Sequence, residues 1–222
     1  MCLVLPLYGG LDQLTKPFQK WTLEEALAIL HQSPWARQQT FTQVVGGIGS
    51  GISGEKEIYS TFYVRFLSAK PIREAYARVR QIQEKYDELS KEEKKKLDDS
   101  LTAGLKLNVT NWIVVALTFR SNDPNVELGL KQFLEVQTSE TIRARAFLSN
   151  ARFPQIPPSA YFPPRDEVVG AKFVFPRRVD GQPVVSTGDE GISFELDVPG
   201  FASVLRVSFP VAEMMVKGEP VI

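Results

Sequence analysis

The chain has one cysteine, Cys2, and one histidine, His31. A single thiol closes no disulfide within the chain, and one cysteine with one histidine lacks the ligand spacing of a zinc site. A Ser-His-Asp arrangement would have to use His31, which falls on a short predicted helix with no evident partner. Net charge is lacking as well. Twenty-six basic residues balance 26 acidic ones, so no global field draws the chain to nucleic acid or an anionic membrane. No apolar run approaches the length that spans a bilayer. These absences lead us to expect no metal, no cofactor, no nucleic-acid partner and no integral membrane segment.

What is present is the composition of a folded protein: 222 residues, 43% hydrophobic and 23% charged. Residues 1–7 are nearly all apolar and precede Tyr8, Gly9 and Gly10. Two readings stand for them. They form an edge strand or tucked tail, or they are the remnant of a signal peptide's apolar core. The second predicts an exported or periplasmic protein; with Met1 as the true start, the cytoplasm is expected.

Thr22 and Glu25 have the spacing of a capping box, with Trp21 before them as a staple, and open a helix carrying Leu23, Ala26, Leu27 and Leu30 on one face. His31 adjoins that face near the helix C-terminus, where the dipole favours a protonated ring. Residues 40–45 and 57–67 read as strands joined through a glycine-rich segment. Pro71 opens a helix whose apolar residues Ile72, Ala75, Tyr76, Val79, Ile82, Tyr86 and Leu89 keep helical spacing for five turns. Ser90 and Glu93 make a second capping box for a charged helix, read as having a solvated face.

From Val109 the period changes to two, and the strand through Ile113, Val115 and Leu117 reads as buried on both faces. Asp123 and Pro124 then cap a helix reaching Gln137. Residues 141–149, 171–177, 192–198 and 204–210 follow as short strands, with a final pair flanking Lys217 and Gly218. The predicted class is α+β: N-terminal helices with a β-hairpin, then a mainly antiparallel β-sandwich with one inserted helix. The organisation expected is a tail over 1–15, a helical and hairpin region over 16–107 and a sandwich region over 108–222, with a shared core left open.

Candidate sites are sparse. Gly49, Gly51 and Gly54 match G-x-G-x-x-G, but a strand follows where a phosphate-binding unit needs a helix. The segment reads as a hairpin connection or a lid over a small-molecule pocket. Ser53 and Lys56 match S-x-x-K without the helix start and second lysine motif that this chemistry needs. Glu195 and Asp197 share one strand face and are the best carboxylate pair for a hydrolase acting on carbohydrate. The acidic pairs Asp166–Glu167 and Asp189–Glu190 lie in turns, where solvation or a loose calcium site is the choice. Tyr59 and Tyr63 alternate with the core-facing Phe62 and Phe66 and are candidates for lining a groove. Arg143 and Arg145, on one predicted strand face, are candidates for binding an anion.

Two blocks, Trp21 to Glu25 with Ser33 to Ala36 and Tyr63 to Arg73, resemble a group of uncharacterised bacterial proteins. Gly170 to Arg177 and Met214 to Ile222 are similar to later blocks of that group, so the likeness covers nearly the whole chain. It implies export and supplies no catalytic residues. The expected function is a non-enzymatic exported or envelope protein that binds another protein or an envelope component. The alternative is the carboxylate-dependent hydrolase.

Overall fold

A computed structural model describes residues 12–46, 56–165, 168–201 and 203–222. Its first α-helix, α1 (Leu23–Gln32), starts at the predicted capping box: the Thr22 hydroxyl accepts from the Glu25 N–H, and the Glu25 carboxylate from the Thr22 N–H. Trp21 is buried before it. The buried stripe is Ala26, Ile29 and Leu30, whereas Leu23 and Leu27 are exposed. The face is therefore rotated from the predicted one, because Ile29 completes an i, i+3, i+4 set with Ala26 and Leu30.

Strands β1 (Ala36–Val45) and β2 (Lys56–Phe66) pair antiparallel from Ala36↔Arg65 to Val45↔Lys56. Helices α2 (Lys70–Gln83) and α3 (Lys91–Leu105) follow, separated by a 3₁₀ turn, Tyr86–Glu88. α2 is shorter than the five predicted turns. Lys85 turns left-handed (φ 49°) and its N–H closes on the Ile82 carbonyl, which takes Tyr86 and Leu89 off the helix. Both predicted hydrogen bonds of the Ser90 box are present at the start of α3.

Next come β3 (Trp112–Ser121), α4 (Pro124–Val136), the single turn α5 (Ser139–Ile142), β4 (Ala146–Ser149), β5 (Ala160–Phe162) and β6 (Ala171–Pro176). The Asp123 carboxylate caps α4 by accepting from the Asn125 and Val126 N–H groups. A two-stranded ribbon, β7 (Arg178–Val179) and β8 (Gln182–Pro183), turns at Gly181. The chain ends with β9 (Gly191–Leu196), β10 (Leu205–Pro210) and the small pair β11 (Met215–Val216) and β12 (Glu219–Pro220).

All strand pairing among the described residues is antiparallel. One sheet has the order β1-β2-β3-β6-β5 and the other β10-β9-β4. The front hairpin thus supplies two strands of the larger sheet, with β2 paired to β3 through Val64↔Leu117 and Phe66↔Val115. The inner faces meet through Phe66 against Phe209 (ring centroids 4.5 Å) and Phe173 against Phe194 (5.2 Å). Burial of rings of this size, about 1.5–3 kcal/mol each, is the main force holding the sheets together. Along one edge, the Gln43 side chain donates to the Gly200 carbonyl and the Gln39 side chain accepts from the Arg206 N–H, so β1 is tied to the smaller sheet. A single contiguous core runs from Trp21 to Ile222.

β3 is buried on both faces from Ile113 to Leu117, as its apolar run predicts. Its odd-numbered residues enter the sandwich core. Its even-numbered residues, Val114 and Ala116, look the other way, toward the helices. On that outer face Arg65 is 4% exposed; its Nε donates to the Leu30 carbonyl at 2.6 Å and Nη1 to the Thr118 hydroxyl at 2.9 Å. α1 is anchored to the sheet through this arginine.

Candidate ligand cavity

Between the outer face of the large sheet and the two helices α2 and α3 lies a cavity of about 690 Å³. Its floor is Val114 of β3, Val174 and Lys172 of β6 and Phe162 of β5. The register explains the grouping: Val114 faces Val174 across the ladder, and Phe162 faces Lys172, so all four project from one side.

The second wall is one stripe of α2: Arg73, Tyr76, Ala77, Arg80 and Gln83. Their spacing of three and four places them on a single face, beside the buried face made by Ile72, Ala75 and Val79, of which Val79 also reaches the lining. α2 is fixed against the sheet at its start. The Ser68 hydroxyl accepts from the Val114 N–H at 3.1 Å, and the Ser68 N–H donates to the Val114 carbonyl at 3.2 Å.

α3 forms the roof with Leu101, Leu105 and Gly104, followed by Leu107. Its leucines at 97, 101 and 105 recur every four residues on an otherwise charged helix. None of the 15 residues of α3 is fully buried, so the roof rests on the cavity without packing into the core.

The chemistry of the lining is lopsided. Most of it is aliphatic or aromatic, and among the described residues it includes no carboxylate, histidine or cysteine. It includes three cationic side chains, Arg73, Arg80 and Lys172. Nη2 of Arg80 lies 2.7 Å from a Glu84 oxygen, so that charge is compensated. Arg73 donates through Nη1 to the Leu67 and Ser68 carbonyls, while its Nε is buried and, among the described residues, has no hydrogen-bond partner. Burial pushes the Arg73 guanidinium below its ordinary pKa, with Glu74 acting in the opposite sense. Lys172 makes a long contact, 3.4 Å, to the Gly170 carbonyl. An apolar chamber of this size with a few polar groups is the usual form of a small-molecule site. Among the described residues of the lining, none is arranged as a nucleophile with its base.

The residues singled out in the sequence lie elsewhere. Tyr59 is exposed on β2, its hydroxyl donating to Glu57. Tyr63 packs edge-on against His31 and under the Arg65 guanidinium. Arg143 and Arg145 do not share a strand face. The Thr138 hydroxyl accepts from the Thr141 N–H and starts the turn α5, so the strand begins only at Ala146. Arg143 is exposed at the end of that turn, and Arg145 pairs with Asp197 at 2.7 Å. Gly49, Gly51, Gly54, Ser53, Asp166 and Glu167 lie outside the described residues. Asp189 is held by both Nε and Nη2 of Arg152.

Glu195 accepts from the Ser149 hydroxyl and pairs with Arg206 at 2.9 Å on the outer face of the smaller sheet. Asp197 lies just past that strand, and neither acid lines the cavity. Among the described residues no group of three or more His, Cys, Asp or Glu side chains is placed to hold a metal ion, and no helix is long and apolar enough to cross a membrane.

The cavity residues give a weak signal in sequence. Tyr76 reads there as part of one broad apolar face, and the leucine stripe of α3 is masked by its lysines and glutamates. No protein-family model, curated protein or solved structure matches the chain.

Proposed function

We propose that this is a non-enzymatic binding protein that holds an apolar small molecule between α2, α3 and the outer face of the large sheet. The observation that carries the reading is the cavity itself: about 690 Å³, floored by Val114, Val174 and Phe162 and roofed by Leu101 and Leu105. The roof supplies a route of entry, because α3 contributes lining side chains while burying none of its residues completely. An exported or envelope setting rests on the apolar residues 1–7 and on the resemblance of the two sequence blocks, and is tested by fractionating cells that express the full gene.

The test of binding uses N-phenyl-1-naphthylamine, a neutral dye that brightens in apolar surroundings. A saturable, one-to-one rise in fluorescence is expected. Gly104→Phe places a ring where a Cβ meets no atom within 4 Å, and Ala77→Phe fills the opposite wall. Both variants should fold and lose the signal. Dye binding that survives both substitutions would place the site elsewhere, and no saturable binding to the wild type would overturn the proposal.

A further inference from the structure

We infer that the ligand is a single-headed anionic amphiphile, a long-chain carboxylate whose tail fills the apolar chamber and whose head is held by Arg73 and Lys172. The inference rests on the binding role proposed above and adds the charge of the ligand.

The argument is one of compensation. A cation facing an apolar chamber is destabilising unless it is paired. Of the three cationic side chains in the lining, Arg80 has its partner in Glu84. Among the described residues, Arg73 and Lys172 are bonded only to backbone carbonyls. Glu74, the acid beside Arg73 in sequence, lies 3.4 Å from the Lys70 ammonium. Among the described residues the buried Nε of Arg73 has no acceptor, so the guanidinium is short of a hydrogen bond. A carboxylate offers two acceptor oxygens, matching the fork of a guanidinium and the point charge of an ammonium together. The opposite ligand, a cationic amphiphile, would find no described carboxylate in the lining. A neutral one would offer neither cation a carboxylate partner.

The two residues stand on different elements, α2 and β6, on the wall and the floor of the chamber. A head group bridging them would tie the helix layer to the sheet.

The experiment titrates the full-length protein with cis-parinaric acid, a fluorescent C18 carboxylate, and separately with its methyl ester. The acid should bind about a hundredfold more tightly than the ester, the ratio that two charge-assisted hydrogen bonds of about tenfold each supply. Lys172→Met and Arg73→Met should each weaken the acid by about tenfold and leave the ester nearly unchanged. Arg73 also holds the Leu67 and Ser68 carbonyls, so Lys172→Met is the variant less apt to disturb folding. Ester binding as tightly as acid, with both lost in Gly104→Phe, would overturn the anionic head and leave the apolar site standing. Preference for the acid that survives both methionine variants would overturn the assignment of the head group to this pair. Failure of acid and ester alike, together with the neutral dye, would remove the binding role itself.

Discussion

Ser68 and Val114 exchange two hydrogen bonds across the junction of helix and sheet: the Val114 N–H donates to the Ser68 hydroxyl, and the Ser68 N–H donates to the Val114 carbonyl. The pair lies just past the end of the β2–β3 ladder at Phe66↔Val115 and one residue out of its register, at the point where the chain leaves the strand to begin α2. Val114 is also part of the cavity floor, so one contact sets the spacing between floor and wall.

Ser68→Ala should therefore cost more than an ordinary surface serine. It leaves the buried Val114 N–H without its acceptor, a loss of about 1–3 kcal/mol. Urea denaturation would read this as a lower midpoint at unchanged slope. A change within the error of the wild type would mean that the amide finds another partner when the hydroxyl is removed.

The contrast between the two cavity helices leads to a second expectation. α2 buries Pro71, Ile72, Ala75, Ala77, Val79 and Gln81, whereas no residue of α3 is buried. Local opening of α3 uncovers little apolar area, so its mid-helix amides should exchange with solvent at least about tenfold faster than those of α2. Saturation with an apolar ligand should slow the exchange of α3 selectively. Equal protection in the two helices, with or without ligand, would show that α3 is part of the rigid core.

Gly170 sets the entry into β6 at φ +75°, and a Cβ there would sit 2.1 Å from the Leu117 carbonyl oxygen and 2.7 Å from a Thr118 methyl group. That oxygen belongs to the centre of β3, whose partner at this register is Ala171, so it cannot move aside cheaply. Gly170→Ala should destabilise by about 3 kcal/mol or more. Gly181 has the same backbone sign, φ +76°, but a methyl group added there would meet nothing within 4 Å. Gly181→Ala should then cost only the left-handed backbone penalty, of order 1 kcal/mol. Thermal melts of the two variants separate crowding from conformation; similar losses would show that the close approach at Gly170 relaxes.

The features legible in the sequence are the local ones. The capping boxes at Thr22 and Ser90 and the Asp123 cap are read at a spacing of two or three residues, and each forms as spaced. The alternation of Ile192, Phe194 and Leu196 with Ser193 and Glu195 reports one dry face because a strand's period is fixed by covalent geometry. Features that arise from long-range assembly are not legible. The chamber is built from residues between Leu67 and Val174 on separate elements, and only the sheet order brings Val114 beside Val174 and below α2. Arg73 looks like an ordinary solvated charge until the fold half-buries it beside the cavity, whereas Arg80 stays exposed at the rim. Arg143 and Arg145 depart from the expected strand for the opposite reason: a capping hydrogen bond at Thr138 outcompetes a strand-like pattern.

The single histidine offers a direct test of the helix–sheet layer. Its place at the end of α1 predicts a ring whose protonated form is favoured by the helix dipole. The structure reverses that expectation. Partial desolvation of this otherwise exposed ring, which packs edge-on to Tyr63 at 5.4 Å between ring centroids, disfavours the charged imidazole, and the Arg65 guanidinium 3.4 Å from Nδ1 adds a repelling charge. The His31 pKa is lowered from the ordinary 6.5. The unfolded chain then binds the proton more readily than the fold does. The associated stability is fully present above pH 6.5 and is lost as pH falls from there through the depressed folded value. Because His31 is the chain's one histidine, its ring resonances can be followed by NMR without assignment of any other imidazole. The midpoint should lie below 6.5, and Arg65→Met should raise it, to the extent that the variant keeps α1 docked once the bond to the Leu30 carbonyl is gone. His31→Gln should flatten the stability profile across the same window. A midpoint at or above 6.5 in the wild type would mean that the helix dipole outweighs burial and Arg65, and that α1 sits farther from the sheet than the Arg65–Leu30 bond implies.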